Sequence, residues 1–176
     1  MMWLSTSAIA RLRDKLRDRG APASRAVPLT ASMLPEELER AVSIAEYGPL
    51  CEAMYLMMSA DKSVSAAEKD VLRGALRELS DGSVRSSHID AMLDDAEKSI
   101  ARDGRERRLE VVAALLRDDA NRAEVALVLA AAIAFADGAV ADEENEILSD
   151  LAERMGIDEA KAASLLDAAE ADRGLE

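Results

Sequence analysis

The sequence AFADGAVADEENEIL at residues 134–148 leads from an apolar segment through an Asp-Gly turn into a cluster of acids. An earlier stretch, MYLMMSADKSVSAAEKDVL at residues 54–72, has the same order of features. With Asp61 aligned on Asp137, the matches are Ala60 with Ala136, Val64 with Val140, Glu68 with Glu144, Val71 with Ile147 and Leu72 with Leu148. Each copy therefore predicts an apolar helix, a short loop with an inward Val, and a second helix.

Two such corners, 76 residues apart, predict a pseudo-symmetric bundle with the two apolar first helices at its centre. The composition also favours helices, because 49% of the residues are apolar but only 2% are aromatic. A core of Ala, Leu, Val, Ile and Met is typical of helical proteins. We therefore predict an all-α fold, a compact multi-helix bundle built from two pseudo-repeated helix-turn-helix corners, with an N-terminal amphipathic helical arm.

Apolar spacing and turn residues predict nine helices. The first, residues 3–19, is the arm. The second begins at Pro35 and ends near Gly48-Pro49, and the third spans residues 50–60. Breaks are expected at Asp-Gly and Gly positions further on, and Asn121 is the expected N-cap of the seventh helix.

Charge divides the chain into two parts. Residues 1–30 carry six basic and two acidic residues, a net charge of +4, whereas the remainder carries −17. We predict a basic arm and linker at residues 1–31 and a helical domain at residues 32–176. The acidic domain repels polyanions, which argues against nucleic acid as a partner.

The basic arm has two interpretations. As an amphipathic helix it could lie on an anionic membrane surface, a peripheral contact through residues 1–30. It could instead pack on its own acidic body or on a second copy in a homodimer. The narrow apolar stripe of Ile9, Leu12 and Leu16, diluted by Asp14 and Asp18, favours protein contact.

Several single residues have simple interpretations. Cys51 is the only cysteine, so no internal disulfide forms, and a reducing, cytoplasmic location is expected. We predict that Cys51 and the nearby methionines are buried, and that His88 is exposed and incidental. Arg105, Arg107 and Arg108 are interpreted as a solvated face able to pair with acids.

The pattern Ala-Asp-Gly-x-Val-x-x-x-Glu at residues 136–144, repeated with departures at residues 60–68, resembles the TerB-like domain of tellurite-resistance and related bacterial stress proteins. The resemblance covers residues 50–167, and Lys62 departs from it where Gly is usual. It implies a compact α-helical domain whose repeated acids form a metal site. It also implies membrane-linked stress complexes with partners of the TerC and TerD kind, at the inner face of the membrane.

The acids at the first corner can be explained by helix capping alone. Ser65-Ala66-Ala67-Glu68 is a capping box, in which Ser and Glu each satisfy a free backbone N–H. Asp61 would then be an ordinary turn residue that bonds nearby backbone amides. Lys62 also offers a cation of its own to Asp61 or Glu68. Capping is therefore the favoured interpretation of the first corner.

Capping explains the second corner less well. Ala141 occupies the position of Ser65 and cannot cap through its side chain, yet Glu144 is present. If the two corners pair about a pseudo-twofold axis, four carboxylates could face one cleft: Asp61, Glu68, Asp137 and Glu144. A divalent cation would relieve their repulsion, and oxygen-only ligands suit Ca²⁺ or Mg²⁺. Asp137 and Glu144 are the expected core of this metal site.

Three functions remain open from the sequence. The first is a non-enzymatic acidic module that binds a divalent cation or protein partners in a stress-response assembly. The second is a metal-dependent hydrolase that uses the same carboxylates, although the chain shows no Cys–His or Ser–His arrangement and no phosphate loop. The third is a structural adaptor without an ion. The sequence favours the first.

Overall fold

The computed structural model describes residues 5–18, 34–61, 64–135 and 142–173. These ranges contain eight α-helices and a short 3-10 helix, and they contain no strand. The helices are α1 (Thr6–Asp18), α2 (Pro35–Met58), α3 (Ala66–Leu79), α4 (Ser86–Asp103), α5 (Arg105–Leu116), α6 (Ala120–Ala134), α7 (Asp142–Arg154) and α8 (Glu159–Arg173). The short 3-10 helix, Ser59–Asp61, follows α2. The prediction of an all-α bundle is confirmed.

The predicted break at Gly48-Pro49 is wrong, because α2 continues through both residues. Proline normally ends or kinks a helix, since it lacks an N–H and its ring crowds the carbonyl four residues earlier. That carbonyl belongs to Ala45. The guanidinium of Arg122 donates to it at 3.1 Å and to the carbonyl of Glu46 at 2.5 Å. A side chain from α6 thus supplies the donor that Pro49 lacks.

Other helix ends follow the local sequence closely. The turn between α3 and α4 contains Asp81 and Gly82 with φ of 55° and 71°, a left-handed conformation that Gly and Asp tolerate. Gly104 separates α4 from α5. The N-cap of α6 is Asp119, whose carboxylate accepts from the amide of Arg122 at 3.1 Å. The predicted cap, Asn121, lies inside the helix instead and donates to the carbonyl of Lys15.

The centre of the bundle is the pair formed by α2 and α6, which make the most extensive contact between helices. Residues 50–58 of α2 are all buried, whereas Leu34, Leu38 and Val42 at its beginning are exposed. The start of α6 lies against Ala45, through Arg122. The helix α6 therefore runs alongside the C-terminal half of α2 in the same direction.

The remaining helices surround this pair with approximate twofold symmetry. The helix α4 packs on α2 as α8 packs on α6. The helix α5 contacts α2 and α7. The helix α1 makes the equivalent contacts, with α6 in place of α2 and with α3 in place of α7. The repeat therefore comprises four helices, α1–α4 and α5–α8, rather than only the two corners.

The helix α1 is held on the acidic body by apolar and ionic contacts. Ala8, Ile9 and Leu16 are buried. Arg13 and Arg17 each bind the carboxylate of Asp81 at 3.0 Å, and Lys15 pairs with Glu124 on α6. The structure therefore shows the basic arm packed on the body of its own chain, which is one of the contacts considered above. The domain boundary near residue 31 stays a prediction.

None of the described helices combines the length and the apolar character that crossing a bilayer requires.

Candidate functional site

The first corner joins α2 to α3 and contains a complete capping box. The hydroxyl of Ser65 accepts from the amide of Glu68 at 3.2 Å, and the carboxylate of Glu68 accepts from the amide of Ser65 at 2.6 Å. Asp61 ends the 3-10 helix before this loop, but its side chain and Lys62 lie outside the described residues. The capping prediction for Glu68 is confirmed.

The second corner joins α6 to α7. The helix α6 ends at Ala134, and residues 136–141, including Asp137, lie outside the described residues. The first turn of α7 holds three acids, Asp142, Glu143 and Glu144. Acids at this position are stabilised by the positive end of the helix dipole, by roughly 0.3–1 kcal/mol each. Glu144 is the half-buried member of the three.

The two corners share one end of the bundle. Because α2 and α6 run in the same direction, their C-terminal ends lie on the same side of the molecule. The 3-10 helix that ends at Asp61 and the helix α6 that ends at Ala134 are therefore at the same end of the bundle. It does not describe the Asp61 and Asp137 side chains, so the predicted four-carboxylate cleft stays a prediction. Within the described ranges, no group of three or more His, Cys, Asp or Glu could hold a metal ion.

An arginine that sequence reasoning placed on the surface lies at the first corner. The guanidinium of Arg105 donates to the backbone carbonyls of Ser59 and Ala60, the second at 3.2 Å. These carbonyls belong to the C-terminal end of the α2 segment, where a cation is favoured by the helix dipole. Arg105 thus fixes the start of α5 against the end of α2.

A buried ion pair joins α5 to the middle of α2. The guanidinium of Arg108 binds both carboxylate oxygens of Glu52, at 2.6 and 2.8 Å, and reaches Asp103 at 3.4 Å. Both members of the pair are largely shielded from water. Hydrogen bonding to Glu52 raises the pKa of Arg108, which stays charged. A bidentate pair of this kind needs fixed geometry, so it locks α5 on α2.

The prediction of a solvated arginine face is wrong for Arg105 and Arg108, which are half-buried. The expected pairing with acids is found at Arg108, which binds Glu52. A signal for the ion pair was present, because Glu52 is the only acid in the apolar run of residues 50–58. A buried acid needs a partner.

Three further predictions concern single residues. Cys51 is completely buried, and burial raises the pKa of its thiol well above the ordinary range. Met54, Met57 and Met58 are buried in the core, as predicted. The prediction that His88 is exposed is wrong. Its side chain is buried at the start of α4, and its Nδ1 atom has no hydrogen-bond partner within the described residues.

Comparison with known proteins identifies a family. The sequence model of the family described as "Tellurite resistance protein TerB" matches residues 50–170. This span covers more than two thirds of the chain and includes both corners. No curated protein and no solved structure matches the chain.

Proposed function

This chain belongs to the TerB family, and from that premise we propose that it is a non-enzymatic acidic helical module of a tellurite-resistance-like stress system. Its role is to bind a divalent cation, Ca²⁺ or Mg²⁺, at the end of the bundle where the two corners lie. Asp137 and Glu144 are the principal ligands in this proposal. Asp61 and Glu68 have a secondary role.

The parallel course of α2 and α6 is the observation that carries this proposal. It supports a shared site, because an Asp stands three residues after the last residue of each helix, Asp61 after Met58 and Asp137 after Ala134. The ranking of the ligands follows from the charges at the two corners. Lys62 offers the first corner a cation of its own, whereas Gly138 stands at the matching position of the second corner.

Electrostatics supports an ion at this end of the bundle. Two carboxylates about 4 Å apart repel by on the order of 4 kcal/mol at an effective dielectric constant of about 20. The first turn of α7 alone holds three acids. A divalent cation would offset this repulsion, and carboxylate oxygens are the ligands that Ca²⁺ and Mg²⁺ prefer.

Isothermal titration calorimetry tests the site. We expect Ca²⁺ or Mg²⁺ to give saturable heat with the wild-type protein at millimolar concentration or below. Asp137→Asn and Glu144→Gln should each weaken binding at least about tenfold, because each removes a charged ligand while preserving its shape. Glu159→Gln removes an exposed acid from the first turn of α8 and is the matched control. Absence of saturable heat in the wild type, or equal loss in all three variants, would contradict the proposal.

The non-enzymatic role has its own test. Phosphoester substrates with added Mg²⁺ or Mn²⁺ should give no turnover above background. Metal-dependent turnover that Asp137→Asn abolishes would instead identify a hydrolase at the same carboxylates.

The wider setting belongs to the same proposal. Partners of the TerC and TerD kind and a cytoplasmic position near the membrane are what TerB relatives suggest. Direct membrane contact through residues 1–30 is less favoured than protein contact, because the apolar face of α1 is buried in the body at Ile9 and Leu16. Flotation with anionic vesicles, with and without residues 1–30, tests this. Flotation that requires those residues would show that the arm binds membranes.

A further inference from the structure

An apolar stripe is exposed along the first half of α2. Leu34, Leu38 and Val42 are 64%, 38% and 48% exposed. They lie four residues apart, so they share one face of the helix. This half of α2 extends beyond the start of α6, which leaves the stripe without a covering helix in the described part of the protein.

The stripe continues into a cavity between α2, α4 and α5. Ala45 and Pro49 extend the same face of α2 and line this cavity, and Leu115 of α5 stands opposite, 39% exposed. We call this continuous surface the docking groove: Leu34, Leu38, Val42, Ala45, Pro49 and Leu115. All four of the large apolar side chains that are exposed in the described ranges belong to it. Apolar exposure concentrated in this way marks an interaction surface.

The cavity at the end of the groove has room for a side chain of a partner. Its volume is about 280 Å³, slightly below the roughly 300–1,000 Å³ of pockets that hold drug-sized ligands. Ile44 and Met92 add to its apolar wall. Glu52 and Arg108 line it as the ion pair described above, and the lining carboxylate outside that pair is Asp95. An apolar side chain flanked by a basic one would match both features.

The charge of the body selects the partner. The chain beyond residue 30 carries −17, so a cationic partner is attracted and an acidic one is repelled. A second copy fits less well, because pairing of two α2 helices would bring together Glu36 and Glu37 from each copy against one Arg40, while Glu39 is already paired with Arg85.

The body already binds a helix of the required kind. The helix α1 carries Arg13, Lys15 and Arg17 beside its apolar stripe, and Lys15 pairs with Glu124 on α6. The helix α1 occupies on α6 the position that α5 occupies on α2. A basic helix with a narrow apolar face is therefore a ligand that this surface chemistry accepts.

We propose that the docking groove binds a basic amphipathic helix of a partner protein. Apolar side chains of that helix pack on Leu38 and Val42, one enters the cavity beside Leu115, and its Lys and Arg side chains face the carboxylate of Asp95. Val42 lies 19 residues before Asp61, about 28 Å along a helix at roughly 1.5 Å per residue. The groove is thus separate from the corners, and its function does not depend on the ion.

A labelled helical peptide of about 15 residues, made of Leu, Lys and Ala with Leu on one face only, is the probe. Fluorescence anisotropy should show that it binds the wild-type protein. The double variant L38K/V42K should raise its Kd at least about tenfold, because it removes apolar contact and adds positive charge at exposed positions. L115K, on the facing helix, should have a similar effect.

Two controls separate the groove from general charge attraction. A160K/A163K makes the same change in charge on exposed positions of α8 and should leave Kd within about twofold. A peptide of equal composition with its Leu residues scattered around the helix should bind at least about tenfold more weakly. Equal weakening by L38K/V42K and A160K/A163K, or equal binding of both peptides, would overturn the proposal. So would a wild-type dimer, detected by sedimentation, that L38K/V42K dissociates. D137N should leave peptide binding unchanged, so failure of the ion site would not mimic failure of the groove.

Discussion

Pro49 lacks the N–H that would otherwise donate to the Ala45 carbonyl in the middle of α2. A proline inside a helix typically destabilises it by about 3 kcal/mol. Arg122 donates to the carbonyls of Ala45 and Glu46, so the two residues form one functional unit across the central helix pair. This unit fixes the start of α6 relative to α2.

A double-mutant cycle tests this unit. Arg122→Met should lower the free energy of unfolding by about 1–3 kcal/mol, because it leaves buried carbonyls without a donor. The loss should be smaller in a Pro49→Ala background, where the new N–H at position 49 can donate to Ala45. Urea unfolding followed by circular dichroism measures both. Arg117→Met, at an exposed position before α6, is the control and should change stability by less than about 0.5 kcal/mol. If the changes in the free energy of unfolding caused by R122M and P49A were additive, the two residues would not act as one unit.

Sequence alone predicts single residues well where a local rule applies and poorly where a neighbouring helix decides. The box formed by Ser65 and Glu68 is local, and it is confirmed. The burial of the Arg108 side chain depends on Glu52, which lies 56 residues earlier in the sequence. Nothing local distinguishes Arg108 from its exposed neighbour Arg107, so only the packing of α5 on α2 separates them.

Among the single helices, α1 packs on the acidic body, a contact that its sequence favours, but its place in the repeat could not be predicted. Its motif differs from that of α5, so the sequence gives no sign that the two are counterparts. Leu16 is buried on the body. Leu115 lies on α5, the helix that corresponds to α1 in the repeat, and is exposed in the docking groove. This contrast provides a matched pair of substitutions.

Leu16→Ala should destabilise the protein by about 2–3 kcal/mol, since it removes a buried leucine. Leu115→Ala makes the same chemical change at an exposed position and should change stability by less than about 0.5 kcal/mol. Thermal and urea unfolding of both variants measure the difference. Equal effects would mean that α1 does not pack on the body as described.

The ionic anchor of α1 predicts a dependence on pH. A hydrogen bond from Arg17, with the charge of Arg13, lowers the pKa of Asp81 below its ordinary value of 3.8. A carboxylate with a lowered pKa stabilises the folded state above the unfolded pKa, and this contribution is lost as the pH falls through the lowered folded-state value. Wild type should therefore be more stable than Asp81→Asn at pH 7, and the gap should close below about pH 4.

Asn is a suitable replacement here because it tolerates the left-handed backbone at position 81. In the variant R13Q/R17Q, the free energy of unfolding should change less with pH over the same range, as measured by urea unfolding from pH 2.5 to pH 7. A gap between wild type and D81N that persists unchanged at pH 2.5 would contradict the anchor.

At the scale of the whole molecule, two four-helix units pack about the parallel pair α2 and α6. The repeat of the corners and the central position of these helices could be predicted, because both follow from an apolar pattern that recurs 76 residues on. The membership of α1 and α5 in the repeat could not be predicted, because the two helices share no sequence motif and correspond only in how they pack. For the candidate ion site, the sequence predicts only the types of residue that would form it and the end of the bundle at which they would lie.

Cation binding should appear as a gain in stability. A ligand that binds only the folded state stabilises it by about 2.7 kcal/mol at a concentration one hundred times its Kd. Ca²⁺ or Mg²⁺ should therefore raise the melting temperature of the wild type and of Glu159→Gln by equal amounts, and should raise that of Asp137→Asn by clearly less. A rise of equal size in Asp137→Asn would show that the ion binds to another part of the surface.

A crystal structure of the wild-type protein grown with saturating Ca²⁺ is the decisive experiment for the ion site. We expect anomalous density for one ion between the two corners, with carboxylate oxygens of Asp137 and Glu144 at about 2.3–2.6 Å. Ordered corners with these carboxylates turned apart and no ion between them would contradict it.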